Sequence, residues 1–398
     1  MGLFGIPAAM KSRTSSPLAT LPPSNGADRD LPTPRLDLDP GRVADRVREL
    51  QRVLPGTAIR YAVKANPHRA VLDVVAALGG GFDVAGATEA AAARASGVDS
   101  DALIHSNPVS SRSQLEQVHE HGVRLFVVDS APEIVKLAGI APEARVLIRL
   151  ITSGAGSDWP LSRKFGCAPD DALMLLKSVA DHGLDAAGIA FHVGSQQHNP
   201  HAWEEPLTIA AQVFSDARRL GLEPSTVDLG GGFPADHEGG APPLQEYGRA
   251  IRAALTKAFG RRHPDTLIEP GRGIVGDAGV LESAVIGVAN RGGRRWVYLD
   301  VGVYSGLVET LGEAIRYRIT TSKDGGPTGP CVVAGPTCDS ADVMYERTPV
   351  ELPLDLAEGD LVRFHSAGAY TTCYSTVGFN GFDPLPTRLV NAEFRPQP

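Results

Sequence analysis

An alternation constrains this chain more than any other feature. Eight short apolar runs, at 58–63, 81–84, 102–105, 124–128, 145–150, 187–192, 226–229 and 266–269, are separated by Ala- and Leu-rich stretches of helical period. Continuous apolar runs between helices are the pattern of parallel strands buried on both faces. Eight such units in roughly 210 residues predict a (β/α)8 barrel, with an open doubly wound sheet as the competing arrangement. Asp39 and Pro40 open the first helix, and Val43, Val47, Leu50 and Leu54 form its apolar stripe. Beyond Gly273 the texture changes to strands and turns: 280–288, 295–300, 317–321, 331–334 and 361–366, with one helical patch at 307–316. The fold expected is therefore α/β plus all-β. A barrel over 32–272, its first residues free to join the second unit, precedes a C-terminal antiparallel β domain over 273–398. Residues 1–31, rich in Ser, Pro, Ala and Gly without apolar periodicity, read as a disordered leader.

Composition narrows the partners. The net charge is −8, which argues against nucleic acid. No apolar run approaches a membrane span, and the start lacks the basic and apolar regions of a signal peptide. The four cysteines, Cys167, Cys331, Cys338 and Cys373, show no CxxC spacing, so no metal site or disulfide framework is expected. A reducing cytoplasm is the expected compartment.

In an eight-fold barrel, chemistry gathers at the C-terminal ends of the strands. Here those ends carry Lys64, Asp83, Arg149, His192 with Gly194 and Ser195, the turn Gly230-Gly231-Gly232, and Glu269-Pro270-Gly271-Arg272. One strand-end charge reads as a surface ion pair; this many at one rim read as a site. The glycine turns expose backbone N–H groups, and Ser195 and Arg272 add a hydroxyl and a guanidinium, a set suited to a phosphate dianion. Lys64 in an apolar mouth would have a lowered pKa and could form a Schiff base; its other reading is an ion-pair partner for Asp83. Glu269 could meet a ring nitrogen and His192 could stack on a ring. Phosphate, amine, ring and acid together describe pyridoxal 5′-phosphate (PLP).

The motifs Tyr61-Ala62-Val63-Lys64-Ala65-Asn66, Phe191-His192-Val193-Gly194-Ser195, Gly230-Gly231-Gly232-Phe233-Pro234, Glu269-Pro270-Gly271-Arg272, Gly335-Pro336-Thr337-Cys338-Asp339-Ser340-Ala341-Asp342 and Gly368-Ala369-Tyr370 come in that order. With them the chain resembles the fold-type III PLP-dependent amino-acid decarboxylases, the alanine-racemase-like barrel family, and within it the ornithine/lysine decarboxylase branch. The resemblance implies that Lys64 holds PLP, His192 stacks on its ring and Glu269 meets its nitrogen. It sets Asp83 and Arg149 near Lys64, and makes Ser195, Gly230, Gly231, Gly232, Gly271, Arg272 and Tyr370 phosphate ligands. It further implies that Cys338 protonates Cα, that Asp339 meets the distal amino group, and that Phe379 lines the substrate pocket. Cys338 and Asp339 would come from the other subunit of a homodimer. Lys164, in Lys164-Phe165-Gly166, resembles one half of an intersubunit salt bridge, with Asp342 the other.

Diaminopimelate decarboxylases share most of these motifs but typically carry Cys-Glu-Ser where this chain has Cys338-Asp339-Ser340. Glu309 and Glu313, four apart on the predicted helical patch, would share a face, solvated or facing substrate. By the resemblance Glu313, preceded by Tyr304, reads the substrate's distal ammonium. Two acids suit a basic terminus, which favours L-ornithine, or L-lysine, over meso-diaminopimelate. A decarboxylase of another diamino acid, a racemase on the same fold and a non-catalytic homologue are the other readings.

Overall fold

In the computed structural model, residues 32–161 and 163–391 are described; the predicted leader lies outside them. In chain order the strands are β1 (Arg35–Leu38), β2 (Ala58–Ala62), β3 (Gly81–Asp83), β4 (Leu103–His105), β5 (Leu125–Val128), β6 (Arg145–Arg149), β7 (Ser157–Trp159), β8 (Asp185–Ala190), β9 (Ser195–Gln197), β10 (Thr226–Asp228) and β11 (Asp265–Ile268). They continue with β12 (Gly279–Arg291), β13 (Arg294–Leu299), β14 (Ile319–Thr321), β15 (Thr328–Ala334), β16 (Val350–Pro353), β17 (Leu361–His365) and β18 (Thr387–Leu389). The helices are α1 (Pro40–Val53), α2 (Arg69–Ala77), α3 (Ala87–Ala95), α4 (Arg112–Glu120), α5 (Ala131–Ala138), α6 (Pro169–Asp181), α7 (Glu204–Arg219), α8 (Leu244–Phe259) and α9 (Arg272–Val275).

The eight apolar runs form a closed parallel barrel in the order β10-β11-β2-β3-β4-β5-β6-β8. The period-two alternation of a strand sorts its side chains between two cores. On β5, Leu125 and Val127 join Ile104, Leu147, Ala187, Ala190 and Leu267 in one cluster, while Phe126 and Val128 pack with the helices. Helix α1 shows why such segments fold this way. Asp39 accepts from the backbone N–H of Gly41 at 2.8 Å and of Arg42 at 3.3 Å, satisfying donors that the helix leaves open. Pro40 occupies the first turn, and Val43, Ala44, Val47, Leu50 and Val53 are buried, each of the larger ones stabilising by about 1.5–3 kcal/mol.

The second sheet runs β14-β17-β12-β13-β15-β16, and β1 pairs with both β12 and β18. Its neighbours are mostly antiparallel, as expected, but β13–β15 and β1–β18 are parallel, so the sheet is mixed. The first described strand therefore belongs to this sheet, pinned by Arg35 to Glu282 and by Asp37 to Arg388 at 2.7 Å. The predicted helical patch is a 3-10 segment, Val308–Glu313, broken where Leu311 is extended and Gly312 takes φ +64°. No described helix is long and apolar enough to cross a membrane.

Candidate active site

Lys64 stands just past β2, in a single 3-10 turn, Val63–Ala65. Buried Tyr61 donates from its hydroxyl to Asn66 O at 3.0 Å, Asn66 Nδ2 donates to Gly368 O at 2.8 Å, and Tyr370 N donates to Ala65 O at 2.8 Å. The turn is thus fixed to the loop after β17. Lys64 Nζ donates to Asp83 Oδ2 at 2.8 Å; the lysine side chain keeps 48% of its surface open, the aspartate 1%. The lowered pKa expected for Lys64 is not found. Burial does push it down, but the charge of Asp83, then Tyr370 and Glu269, outweighs burial and holds it above the ordinary lysine value. Of the two sequence readings of Lys64, the ion pair with Asp83 is the one seen: an amine at the barrel mouth held by a carboxylate. Glu89 in α3 adds an acid near Asp83 and Lys64; burial raises its pKa. Sequence reasoning missed it because an acid in a first helical turn is an ordinary helix signal.

Glu269 ends β11, 9% exposed, and accepts a hydrogen bond from Ser106 Oγ. Burial, then the charge of Asp83, pushes its pKa up to about 7 against the pull of Lys64, Ser106 and Arg149. Asp228 ends β10, buried, and accepts from Gly230 N at 2.8 Å; burial and then Glu269 raise its pKa. Ser106, Arg149, His192, Asp228 and Glu269 line one small cavity. Ser106 and Asp228 were not singled out from sequence, since a serine after a strand and an acid before a glycine turn carry no distinguishing signal. His192 Nδ1 accepts from Gly194 N at 3.1 Å. Burial, then Arg149 and Lys64, lowers its pKa to about 3, so a neutral imidazole faces the site. Gly231 is required here: a Cβ would lie 2.8 Å from Glu269 O and 2.9 Å from His192 Nε2. Behind the turn Trp203 donates to Leu229 O at 2.9 Å and packs on Phe233 and Tyr247.

Arg272, 4% exposed, forms the other end. Its Nη1 donates to Glu309 Oε2 at 2.8 Å, and its Nη2 to Glu309 Oε1 at 2.6 Å and Ser195 Oγ at 3.3 Å. The guanidinium carbon sits 5.0 Å from the centre of the Tyr370 ring. Arg272 Nε is buried with no partner. Gly271 lies where a Cβ would approach Ala65 Cβ at 2.8 Å and Tyr370 Oη at 3.2 Å. Gly230 and Gly232 take φ +67° and +105°, where a side chain is strained, and a Cβ on Gly230 would overlap Phe191 O.

A second group of predicted residues meets on the β domain. The rings of Tyr304 and Phe379 are 4.8 Å apart, burial and then the Asp339 carboxylate raise the Tyr304 pKa, and Cys338 N donates to Asn380 Oδ1 at 3.1 Å. Cys338 is a free, exposed thiol. Among the described residues no hydrogen bond or ring contact joins this cluster to Lys64, Glu269 or Arg272.

One expectation is corrected, and two other residues are held by contacts within the chain. Glu309 and Glu313 do not share a face, because the chain breaks at Leu311-Gly312: Glu309 goes to Arg272. Glu313, expected to read substrate, accepts from Arg347 N at 2.7 Å, Thr348 N at 3.1 Å and Arg316 at 3.4 Å. Its carboxylate holds a turn. Asp342, expected to face Lys164 across an interface, is 2% exposed and accepts from Val303 N at 2.8 Å and Thr337 Oγ1 at 2.8 Å within its own chain. Lys164 instead lies 4.9 Å from the centre of the Phe165 ring, whose centre Arg149 also approaches at 5.5 Å.

Residues 40–276 match the family described as pyridoxal-dependent decarboxylase, pyridoxal binding domain. The chain belongs to this family. The decarboxylase is 36% identical over 359 residues to the lysine/ornithine decarboxylase of Selenomonas ruminantium, covering 90% of this chain and 89% of that protein. It is similar to the crystal structure of lysine/ornithine decarboxylase from Vibrio vulnificus complexed with cadaverine: TM-score 0.83, 33% identity, 92% and 96% covered. It is also similar to that of SrLDC with PLP and cadaverine: TM-score 0.83, 35% identity, 91% and 92% covered.

The decarboxylase's own residues fit a pyridoxal phosphate. The unpartnered Nε–H of buried Arg272, beside Ser195 and glycine turns that exclude a Cβ, suits an anion. At the other end an amine on Lys64 and a carboxyl on Glu269 that titrates near neutral pH suit an aldehyde and a ring nitrogen.

Proposed function

We propose that this decarboxylase converts L-ornithine to putrescine and CO2, and L-lysine to cadaverine and CO2, at a site shared between two copies of the chain. The observation that carries the substrate class is the exposed Asp339 carboxylate, close enough to Tyr304 to raise its pKa, with the Phe379 ring beside Tyr304. An acid on an aromatic wall fits an ammonium at the end of a methylene chain. The relatives named above support the same class.

PLP, when bound, supplies an aldehyde for the substrate amine and a ring that accepts the electron pair left at Cα as CO2 departs. The protein's residues do the rest. Lys64 would hold the cofactor, and Asp83 keeps its Nζ in place beforehand. Ser195, Gly230–Gly232, Gly271, Arg272 and Tyr370 would hold the phosphate. Glu269, anionic above its raised pKa, would hold a proton on the ring nitrogen and so deepen the electron sink. His192, neutral at any working pH, would cover a ring face without adding charge. The Cys338 thiol would give its proton to Cα in place of the lost carboxylate.

The shared site is supported by the segment beside the Cys338–Asp339 cluster. Tyr374, Val377, Phe379 and Phe382 are all exposed there, Val377 at 85%, an apolar run that a second copy would cover.

The test is product formation across L-ornithine, L-lysine, L-arginine and meso-diaminopimelate. Ornithine or lysine is expected to lead the dicarboxylate by about 100-fold or more in kcat/KM, since an acid facing a second carboxylate is an uncompensated repulsion. A preference for meso-diaminopimelate overturns the reading of Asp339.

A further inference from the structure

We propose that Glu309 is a positioning residue for the phosphate-binding guanidinium of Arg272. The inference rests on the PLP reading above and concerns a residue outside the expected ligand set. The two side chains come from different halves of the molecule. Arg272 opens α9 directly after β11, and Glu309 sits in the 3-10 segment of the β domain. Both are buried, 4% and 6% exposed. Their two bonds, 2.8 and 2.6 Å, are the paired fork geometry that sets the plane of a guanidinium as well as its position.

Glu309 itself is rigidly mounted. Its carbonyl accepts from Ile315 N at 2.9 Å, and the next residue, Thr310, is tied back to Leu307 O through both its N–H, at 3.0 Å, and its hydroxyl, at 2.6 Å. The Tyr370 ring covers one face of the guanidinium. Arg272 is therefore fixed along one edge by the carboxylate, on one face by an aromatic ring, and at Nη2 by Ser195, while Nε–H stays unpartnered. An arginine free to rotate would lose that freedom on meeting the anion; this one has already lost it. The acid also compensates the buried positive charge before any phosphate arrives, which an unpaired guanidinium could not tolerate.

A structural ion pair and a positioning residue make different predictions for two ligands that differ only in the phosphate. Binding of PLP and of pyridoxal is measured by titration of the cofactor-free protein, for wild type, Glu309→Ala, Glu309→Gln and Arg272→Ala, and for Arg272→Ala carrying Glu309→Ala. Glu309→Ala is expected to raise the Kd for PLP by about ten- to a hundredfold, the value of a charge-assisted bond, and to leave pyridoxal within about twofold. Glu309→Gln, which keeps the side-chain volume and one acceptor, is expected to fall between, and serves alone if the alanine variant does not fold. In the Arg272→Ala background the Glu309 substitution should have no further effect on PLP, because its partner is gone. The proposal is overturned if PLP affinity survives the loss of Glu309. It is also overturned if PLP and pyridoxal weaken alike, or if the effect persists without Arg272. A wild-type protein that binds no PLP overturns the reading beneath it, a result distinct from wild-type binding that is indifferent to Glu309.

Discussion

Glu269 carries a cost that the cofactor-free protein should display. Its folded-state pKa, about 7, lies above the ordinary 4.5 because burial and Asp83 disfavour the anion. Between those values the folded chain holds a proton that the unfolded chain has released, so stability falls as pH rises from about 4.5 to about 7, by up to about 1.4 kcal/mol per pH unit. Glu269→Gln, neutral at every pH, should lack that slope in thermal melts of the cofactor-free protein. Equal slopes in both proteins would show that the acid is ionised throughout. Asp339 gives a second prediction at this scale. Asp339→Asn removes a charge from the substrate wall, so KM for L-ornithine should rise by about ten- to a hundredfold, while the affinity for PLP stays within about twofold of wild type. A parallel loss of cofactor would place Asp339 elsewhere in the machinery. Lys64, Glu269, Arg272 and the residues around them could be found from sequence because barrel chemistry has an address, the ends of strands. Glu309 had none. Its role depends on a partner 37 residues away at the start of α9, and local periodicity pointed it the wrong way.

At the scale of elements, the eight strand–helix units were legible because each apolar run is short, continuous and bounded by turn residues. The 3-10 segment was not: Leu307–Arg316 has the apolar spacing of a helix, and only the backbone of Leu311 and Gly312 shows the break. Strand β1 was legible only as first residues free to join the second unit, since its four residues gain their meaning from β12 and β18, far along the chain. The glycine turn after β10 is the element on which the site's geometry depends most. Gly231→Ala would press a methyl group against Glu269 O and His192 Nε2, and neither the strand end nor the buried ring can move far. We expect a folded protein with a Kd for PLP at least about tenfold weaker, read by equilibrium titration. Undiminished affinity would show that the turn relaxes away from the cofactor.

At the scale of the whole molecule, two groups of residues matter. The barrel mouth holds Lys64, Glu269 and Arg272; the β domain exposes Cys338 and Asp339 beside an uncovered apolar segment. If two copies complete each other, inactive Lys64→Ala and Cys338→Ala proteins should regain activity on mixing. Random pairing of equal amounts makes half of the dimers mixed, each with one intact site of two, so about one quarter of wild-type activity should return. No regain would place the whole site in one chain. Underneath all of this lies the assignment of Lys64 as the residue that holds the cofactor, and one measurement addresses it directly. The protein loaded with PLP is reduced with borohydride, digested and analysed by mass spectrometry. A pyridoxyl phosphate group is expected on the peptide containing Lys64, displaced when L-ornithine is added before the reductant. The group on any other lysine, or on none, would contradict that assignment.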